Sequence, residues 1–333
     1  MKKDTVASPP VDAVISWVDG NDPDHRLKRA KALALSSEHS DIPIAAGKDE
    51  TRFSDNGELR FCLASIRKFM PWIRHIHLVT DQQVPNFITP DLTQEYRLKI
   101  VDHKDIFSSY EWALPTFNSR TIETALWRIE DLANHFIYFN DDFLLVNRLN
   151  PEDFFRDGKV ILRGKWQRIK HYGKVRVTLN LWANFLAKTL LGRTRTMNLA
   201  AQMRAAQLAD MKDRYYQSPH NPRPVRKKTL VDYYTKNPEV FSENIKYRFR
   251  DMSQHLAISL ADHLEIVQKN AILLDQSRTA IIRGEQDSES TIRQILEKIS
   301  QGEHDFLCLG SMEKLDQKLR GEIYYMISKL VDA

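Results

Sequence analysis

The chain has 333 residues, 42% of them hydrophobic and 28% charged, the balance of a folded globular protein and not of a disordered or fibrous one. Its two cysteines, Cys62 and Cys308, exclude a disulfide framework and fit a reducing compartment. The net charge of +5 hides an asymmetry: residues 159–228 carry 17 Lys or Arg against two acids, Asp210 and Asp213, a net +15 that leaves −10 on the rest.

Residues 1–10 read as a disordered lead-in closed by Pro9-Pro10, without the apolar segment of a signal peptide. Asp12–Val18 is a short apolar run entering the turn formers Asp19-Gly20-Asn21-Asp22-Pro23, hence a buried strand and a loop. Residues 24–37 predict a helix and 38–52 a loop. Ser54 or Asp55 is the expected cap of a helix to Phe69, with Leu59, Cys62, Leu63 and Ile66 on one face and Pro71 beyond its end. Ile73–Thr80 alternates like a strand, and Leu98–Val101 is another. Ser119–Leu132 predicts a helix buried through Ile122, Leu126, Ile129 and Leu132. His135–Phe139 is a strand running straight into Asn140-Asp141-Asp142, and Phe143–Val146 a further short one.

Strand and helix thus alternate over residues 11–158, which predicts an α/β core with a mostly parallel sheet. Such sheets place ligands at the carboxyl ends of their strands. Polar residues recur there: Asp19, Thr80-Asp81 and Asn140-Asp141-Asp142. Residues 159–228 read as a basic helical insertion, with Leu179–Met211 its long helix-forming part. Residues 229–333 read as a helical C-terminal part with helices at Leu230–Phe241, Asp251–Val267, Ser290–Ile299 and about Glu313–Leu330, and one strand at Phe306–Leu309. No run reaches the ~18–20 apolar residues of a membrane span. A cytoplasmic location is expected, with a peripheral seat on the inner face of the membrane as an option for the basic part.

Tyr138-Phe139-Asn140-Asp141-Asp142 is the strongest local feature. Adjacent carboxylates beside a carboxamide suit a hard cation such as Mg²⁺ or Mn²⁺, and they repel without one; a turn or helix cap is the plain alternative. His220, in the Pro-flanked loop SPHNPRP among cations, is either a general base or an exposed loop histidine. Arg248-Phe249-Arg250-Asp251 offers either a phosphate clamp or a surface ion pair. There is no GxGxxG, Walker A, zinc spacing or nucleophile elbow, which argues against dehydrogenases, P-loop kinases and α/β-hydrolases.

Taken together, these segments resemble the Stealth family, the sugar-1-phosphate transferases of bacterial capsule and exopolysaccharide synthesis, which are similar to the catalytic subunit of the animal GlcNAc-1-phosphotransferase. DAVISWVDGNDP at Asp12–Pro23 carries the resemblance, as do RFSDNGELRFCLASIRKFMPWIRHIHLVTDQQVP from Arg52, LPTFNSRTIETALWRI and HFIYFNDDFLL. So, more weakly, do His220-Asn221-Pro222 with YRFRD at Tyr247–Asp251, and FLCLGSMEKLD from Phe306. The last block departs from the family's usual Cys-Leu-Asn-Asp, because Gly310-Ser311 follows Cys308-Leu309.

The resemblance implies a nucleotide-sugar-transferase-like sheet of the GT-A or Rossmann-like kind. It implies transfer of a hexose-1-phosphate from a UDP-sugar to a hydroxyl of a saccharide or lipid-linked glycan, with release of UMP. By position, Trp17, Asp19 and Gly20 would line the nucleotide site, and Asn118 and Glu123 would contact the sugar or the metal shell. Asp141 and Asp142 would hold Mg²⁺ or Mn²⁺, His220 would take the acceptor's proton, and Arg250 would stabilise the transferred phosphoryl. Two rivals remain: an ordinary metal-dependent glycosyltransferase releasing UDP, and a non-catalytic nucleic-acid-binding protein using the +15 span with Trp166, Tyr172 and Trp182 interleaved. The resemblance gives no reason to expect a nucleic-acid partner.

Overall fold

The strands β1 (Val11–Ser16), β2 (Ile76–Thr80), β3 (Leu98–Asp102) and β4 (His135–Asn140) run parallel, in the spatial order β4-β1-β2-β3. The computed structural model describes residues 9–37, 57–169 and 196–332. Helices connect the strands: Pro23–Ser37 and Glu58–Phe69 lie between β1 and β2, Pro90–Tyr96 between β2 and β3, and Ser119–Ala125 between β3 and β4.

Both faces of this sheet are covered, so its strands are apolar throughout. Ala13, Ile15, Leu78, Ile137 and Phe139 point to one face, onto Leu59, Cys62, Leu63 and Ile66 of the helix Glu58–Phe69. Each such buried Leu, Ile or Phe contributes about 1.5–3 kcal/mol. Val14, Val79, Val101, Phe136 and Tyr138 point to the other face, onto Ile122, Leu126, Leu230, Phe241 and Ile258. The alternation is the two-residue period of a strand.

The chain then adds β5 (Phe143–Leu145), β6 (Phe155–Arg156), β7 (Lys159–Arg163), β8 (Lys165–Arg168), β9 (Arg214–Gln217), β10 (Arg223–Arg226), β11 (Ala271–Leu274), β12 (Thr279–Arg283) and β13 (Phe306–Gly310). β10 extends the central sheet as an antiparallel edge on β4, with Val225 opposite Phe136. Pro224 has no N–H to give, and an edge strand tolerates that. β12 and β13 are parallel, and β13 pairs antiparallel with β5; the helices Glu289–Ser300 and Gln317–Asp332 pack on this second sheet. β11 joins β7 and β6, and β8 and β9 form a ribbon.

Several expectations are corrected. The described part of residues 159–228 is not a helical insertion: it holds four strands, the helix Thr196–Leu208 and the start of the helix Lys227–Lys236, and β10 belongs to the central sheet. Buried Ala201, Gln202, Ala205 and Ala206 turn that helix inward, so it is part of the fold and not a membrane-facing stripe. Residues 179–195 of the expected amphipathic stretch, with Tyr172 and Trp182, lie outside the described residues, as do the lead-in up to residue 8 and the expected loop 38–52. The C-terminal part carries the expected strand as β13 and adds two that were not expected, β11 and β12.

The helix expected over Leu230–Phe241 is two, Lys227–Lys236 and Pro238–Ile245, because the residue before a proline is pushed out of the helical region. The helix expected from Asp251 starts at Ala257. The one expected over Ser119–Leu132 ends at Ala125 and gives way to a 3₁₀ turn, Leu126–Arg128, although Ile122, Leu126, Ile129 and Leu132 are all buried. Glu58–Phe69 is capped by Gly57, at φ +89°, and not by Ser54 or Asp55; glycine meets no steric penalty in that left-handed conformation. Among the described residues, no helix is long and apolar enough to cross a membrane.

Candidate active site

The carboxyl ends of β1, β2, β3 and β4 share one edge of the sheet. Ser16 pairs in register with Asn140, so the Trp17–Asp22 loop and the Asn140–Asp142 segment leave the sheet side by side. Asp142 then enters β5, and β5 pairs with β13. That pairing sets Cys308 opposite Phe143, and the Leu309 N–H donates to the Asp142 carbonyl at 3.0 Å. The Cys308 Sγ donates to Asp142 Oδ2 at 3.5 Å. Burial, reinforced by the Asp142 charge, pushes the Cys308 thiol pKa well up.

His220 reaches the same carboxylate from the loop that precedes β10, with Nε2 3.8 Å from Asp142 Oδ2. Its ring stands edge-on to Phe143, centroids 4.6 Å apart. The next residue, Asn221, is buried and donates to Thr279 Oγ1 at 3.4 Å. The charged group that His220 faces is therefore a carboxylate. The cations once expected around it are engaged elsewhere: Arg223 pairs with Asp262, Arg226 with Glu265, and Lys228 with Asp232. Arg223 and Arg226 are drawn inward by their pairs while Lys228 stays exposed, and Trp166 is covered by Arg214 and the Tyr216 ring.

A polar cleft of about 200 Å³ opens beside His220, lined among others by Glu123, Tyr138, Asn140, Arg223 and Arg250. Glu123 is buried, which raises its carboxyl pKa; Arg250, Arg120 and Arg223 oppose that rise without cancelling it. The Tyr138 hydroxyl donates to Asn140 Oδ1 at 2.9 Å, and burial, with the nearby Glu123 charge, pushes its own pKa well up. Arg250 donates to Ser119 Oγ at 2.7 Å from the cleft wall. Its neighbour Arg248 is spent on the Pro115 carbonyl at 2.8 Å.

His220, Asp142, Arg250 and Glu123 are thus brought around one region, although they span residues 123–250 of the chain. The remaining predicted residues are placed differently. Asn118 is fully buried and acts as the cap of the helix bearing Glu123: its Oδ1 accepts from Arg120 N at 3.1 Å and its Nδ2 donates to Gln254 and the Tyr247 carbonyl. Trp17 sits in the apolar core under the sheet edge, with its indole N–H unpartnered among the described residues. Asp19 shapes its own loop, accepting from Asn21 N at 2.8 Å, while its backbone is clamped by Gln83. Gly20 is buried beside it.

Arg120, Arg223, Tyr138 and Cys308 were not singled out as site residues. Tyr138 was within reach, because the two-residue period places it on the same face as Asn140. Arg223 and Cys308 depend on strand pairings that carry no local signal. At the departure Gly310-Ser311, Ser311 holds a left-handed φ of +55°, and a Cβ on Gly284 would fall 2.0 Å from its carbonyl oxygen, so the two loops touch backbone to backbone.

The donor set fits a hard cation. Asp142 Oδ1 is buried and accepts no hydrogen bond among the described residues, and Asp141 adjoins it, so carboxylate capacity is left over at a strand end.

Two stretches of the chain match described protein regions. Residues 9–37 match Stealth protein CR1, conserved region 1, and residues 52–162 match Stealth protein CR2, conserved region 2. The chain is 43% identical over 146 residues to an exopolysaccharide phosphotransferase of Streptomyces coelicolor, covering 44% of this chain and 25% of that protein. It is 37% identical over 156 residues to a capsular polysaccharide phosphotransferase of Actinobacillus pleuropneumoniae, covering 47% of this chain and 41% of that one. The match thus spans less than half the length of these relatives. Among solved structures, a galactosyltransferase in complex with donor and acceptor sugar analogs aligns over 93% of this chain and 95% of its own, at 12% identity and a TM-score of 0.40. Residues 9–37 and 52–162 are thus similar to two conserved regions of Stealth proteins.

Proposed function

We propose that the chain is the catalytic part of a capsular or exopolysaccharide phosphotransferase, moving a hexose-1-phosphate from a UDP-sugar to a saccharide hydroxyl. The observation that supports this most is the meeting of His220 with Asp142 at the carboxyl edge of the sheet, 3.8 Å apart and beside Arg250. Phosphoryl transfer needs an acceptor-orienting base, charge neutralisation and positioning, and little else.

In this reading the acceptor oxygen bonds to the phosphorus that bears the sugar, and the bond from that phosphorus to the bridging oxygen breaks. UMP leaves with the electron pair, and the acceptor's proton passes to His220 Nε2. Arg250 stabilises charge on the transferred group. Asp141 and Asp142 would hold Mg²⁺ or Mn²⁺, which would supply neutralisation of the diphosphate. Asp19 and Gly20 form the nucleotide side, with Trp17 supporting their loop from the core. Glu123 contacts sugar hydroxyls, and Asn118 fixes the helix that carries it.

The test is incubation of the 333-residue chain with a panel of UDP-sugars, a glycan acceptor and Mg²⁺, followed by mass spectrometry of the product. A phosphodiester between sugars is the expected linkage. A plain glycosidic linkage would mean an ordinary glycosyltransferase and would sink the proposal.

A further inference from the structure

Asp142, His220 and Cys308 offer a carboxylate oxygen, an imidazole nitrogen and a sulfur within 4.8 Å of one another. Asp142 Oδ2 is the common neighbour, 3.8 Å from His220 Nε2 and 3.5 Å from Cys308 Sγ. Ligand atoms bound to one tetrahedral zinc, at about 2.0–2.3 Å each, stand roughly 3.3–3.8 Å apart. Two of the three separations already meet that spacing or nearly so.

We propose that these three side chains form a soft-metal site that takes one Zn²⁺, and that zinc bound there blocks the Mg²⁺-dependent reaction. A sulfur–nitrogen–oxygen set selects zinc over magnesium, which prefers oxygen ligands and keeps its waters. Two members are held by the fold: Cys308 lies within β13, and Asp142 is fixed through the Leu309 N–H. The third, His220, is half-exposed, with 48% of its side chain accessible, so an ion can enter from solvent on its side. Coordination sends the Cys308 thiol proton to solvent and occupies the His220 lone pair, leaving the fourth position to water. Asp142 Oδ1 has no competing hydrogen bond among the described residues. The blocking effect rests on the proposed function above, because it removes the base and takes one carboxylate; the binding itself does not.

The test titrates the metal-stripped full chain with Co²⁺ and then with Zn²⁺. A thiolate-to-cobalt charge-transfer band is expected in the wild type and in C62S, displaced by one equivalent of Zn²⁺ and resistant to excess Mg²⁺. It is expected to vanish in C308S, and Zn²⁺ affinity is expected to fall by at least about 10–100-fold in both C308S and H220A. His220 is half-exposed, so H220A covers the case in which C308S misfolds. A missing band in the wild type, or an undiminished one in C308S, overturns the site. Zinc binding that leaves UDP-sugar turnover unchanged overturns the block. An intact band in a chain that turns over no UDP-sugar defeats the proposed function and supports the zinc site.

Discussion

The two ends of the central sheet use the same residue types to opposite purposes. At the amino end, Asp12 is fully buried and saturated. Arg74 donates to both its oxygens, at 2.9 and 2.7 Å, while the His75 N–H, the Ala133 N–H and the His77 ring complete the set. At the carboxyl end, Asp142 shares one oxygen between His220 and Cys308 and leaves the other without a hydrogen bond among the described residues. Asp12, His75 and His77 also lie close enough to hold a metal ion. Of the three, Asp12 already has both carboxylate oxygens hydrogen-bonded within the protein, and that marks it as a structural tie, a brace, while His75 Nδ1 and His77 Nδ1 have no hydrogen-bond partner among the described residues. Asp142 differs from Asp12 in keeping a buried oxygen, Oδ1, without a hydrogen bond among the described residues.

Substitutions at the two ends should therefore split cleanly. The largest effect expected is on turnover in His220→Ala, a fall of about 10²–10⁴-fold from the loss of general-base help. Its melting temperature should stay near that of the wild type, because the ring is half-exposed. Comparable loss of melting temperature and activity would place His220 in the brace class.

Asp12→Ala should reverse the pattern. Breaking a buried pair by removing one partner costs about 3–5 kcal/mol. Urea unfolding at neutral pH reads that cost, while the fraction that remains folded keeps its turnover. Asp142→Asn comes next: it should lower turnover by about 10²–10³-fold and leave the urea midpoint unchanged, since shape and volume are kept.

The smallest effect concerns acid. Burial alone would raise the Asp12 carboxyl's pKa, but hydrogen bonds from Arg74, His77 and the Ala133 N–H outweigh it and hold the group well below the usual carboxylate range. A depressed folded pKa gives stability that is present above the unfolded value of about 3.9 and is lost as pH falls toward the folded one. The wild type should lose stability in that window more steeply than Asp12→Asn. Parallel curves would show that Asp12 is not the brace described.

Much of the central sheet was legible in the sequence, because parallel strands covered on both faces must be apolar. DAVISWV and HFIYF announce themselves, and each ends in the polar residues that such sheets collect at one edge. The helix Glu58–Phe69 was equally plain from its 3.6-residue stripe. What could not be read depends on long-range pairing. Nothing local in RPVR marks it as a strand of the central sheet; it becomes one because it lies along β4, with Val225 opposite Phe136. The +15 of residues 159–228 suggested an exposed basic module, yet Arg223 and Arg226 are partnered by Asp262 and Glu265, 39 residues away. Net charge along the chain says nothing of such compensation in space. Likewise the helix break at Asn237 was signalled by Pro238, whereas the place of Cys308 beside Asp142 follows only from the pairing of β13 with β5.

The nucleotide that leaves the donor tests the central claim most directly. With Mg²⁺, a UDP-sugar and a glycan acceptor, one UMP should appear for every sugar phosphate transferred, and UMP should fall with turnover in His220→Ala. UDP as the stoichiometric product would contradict the account.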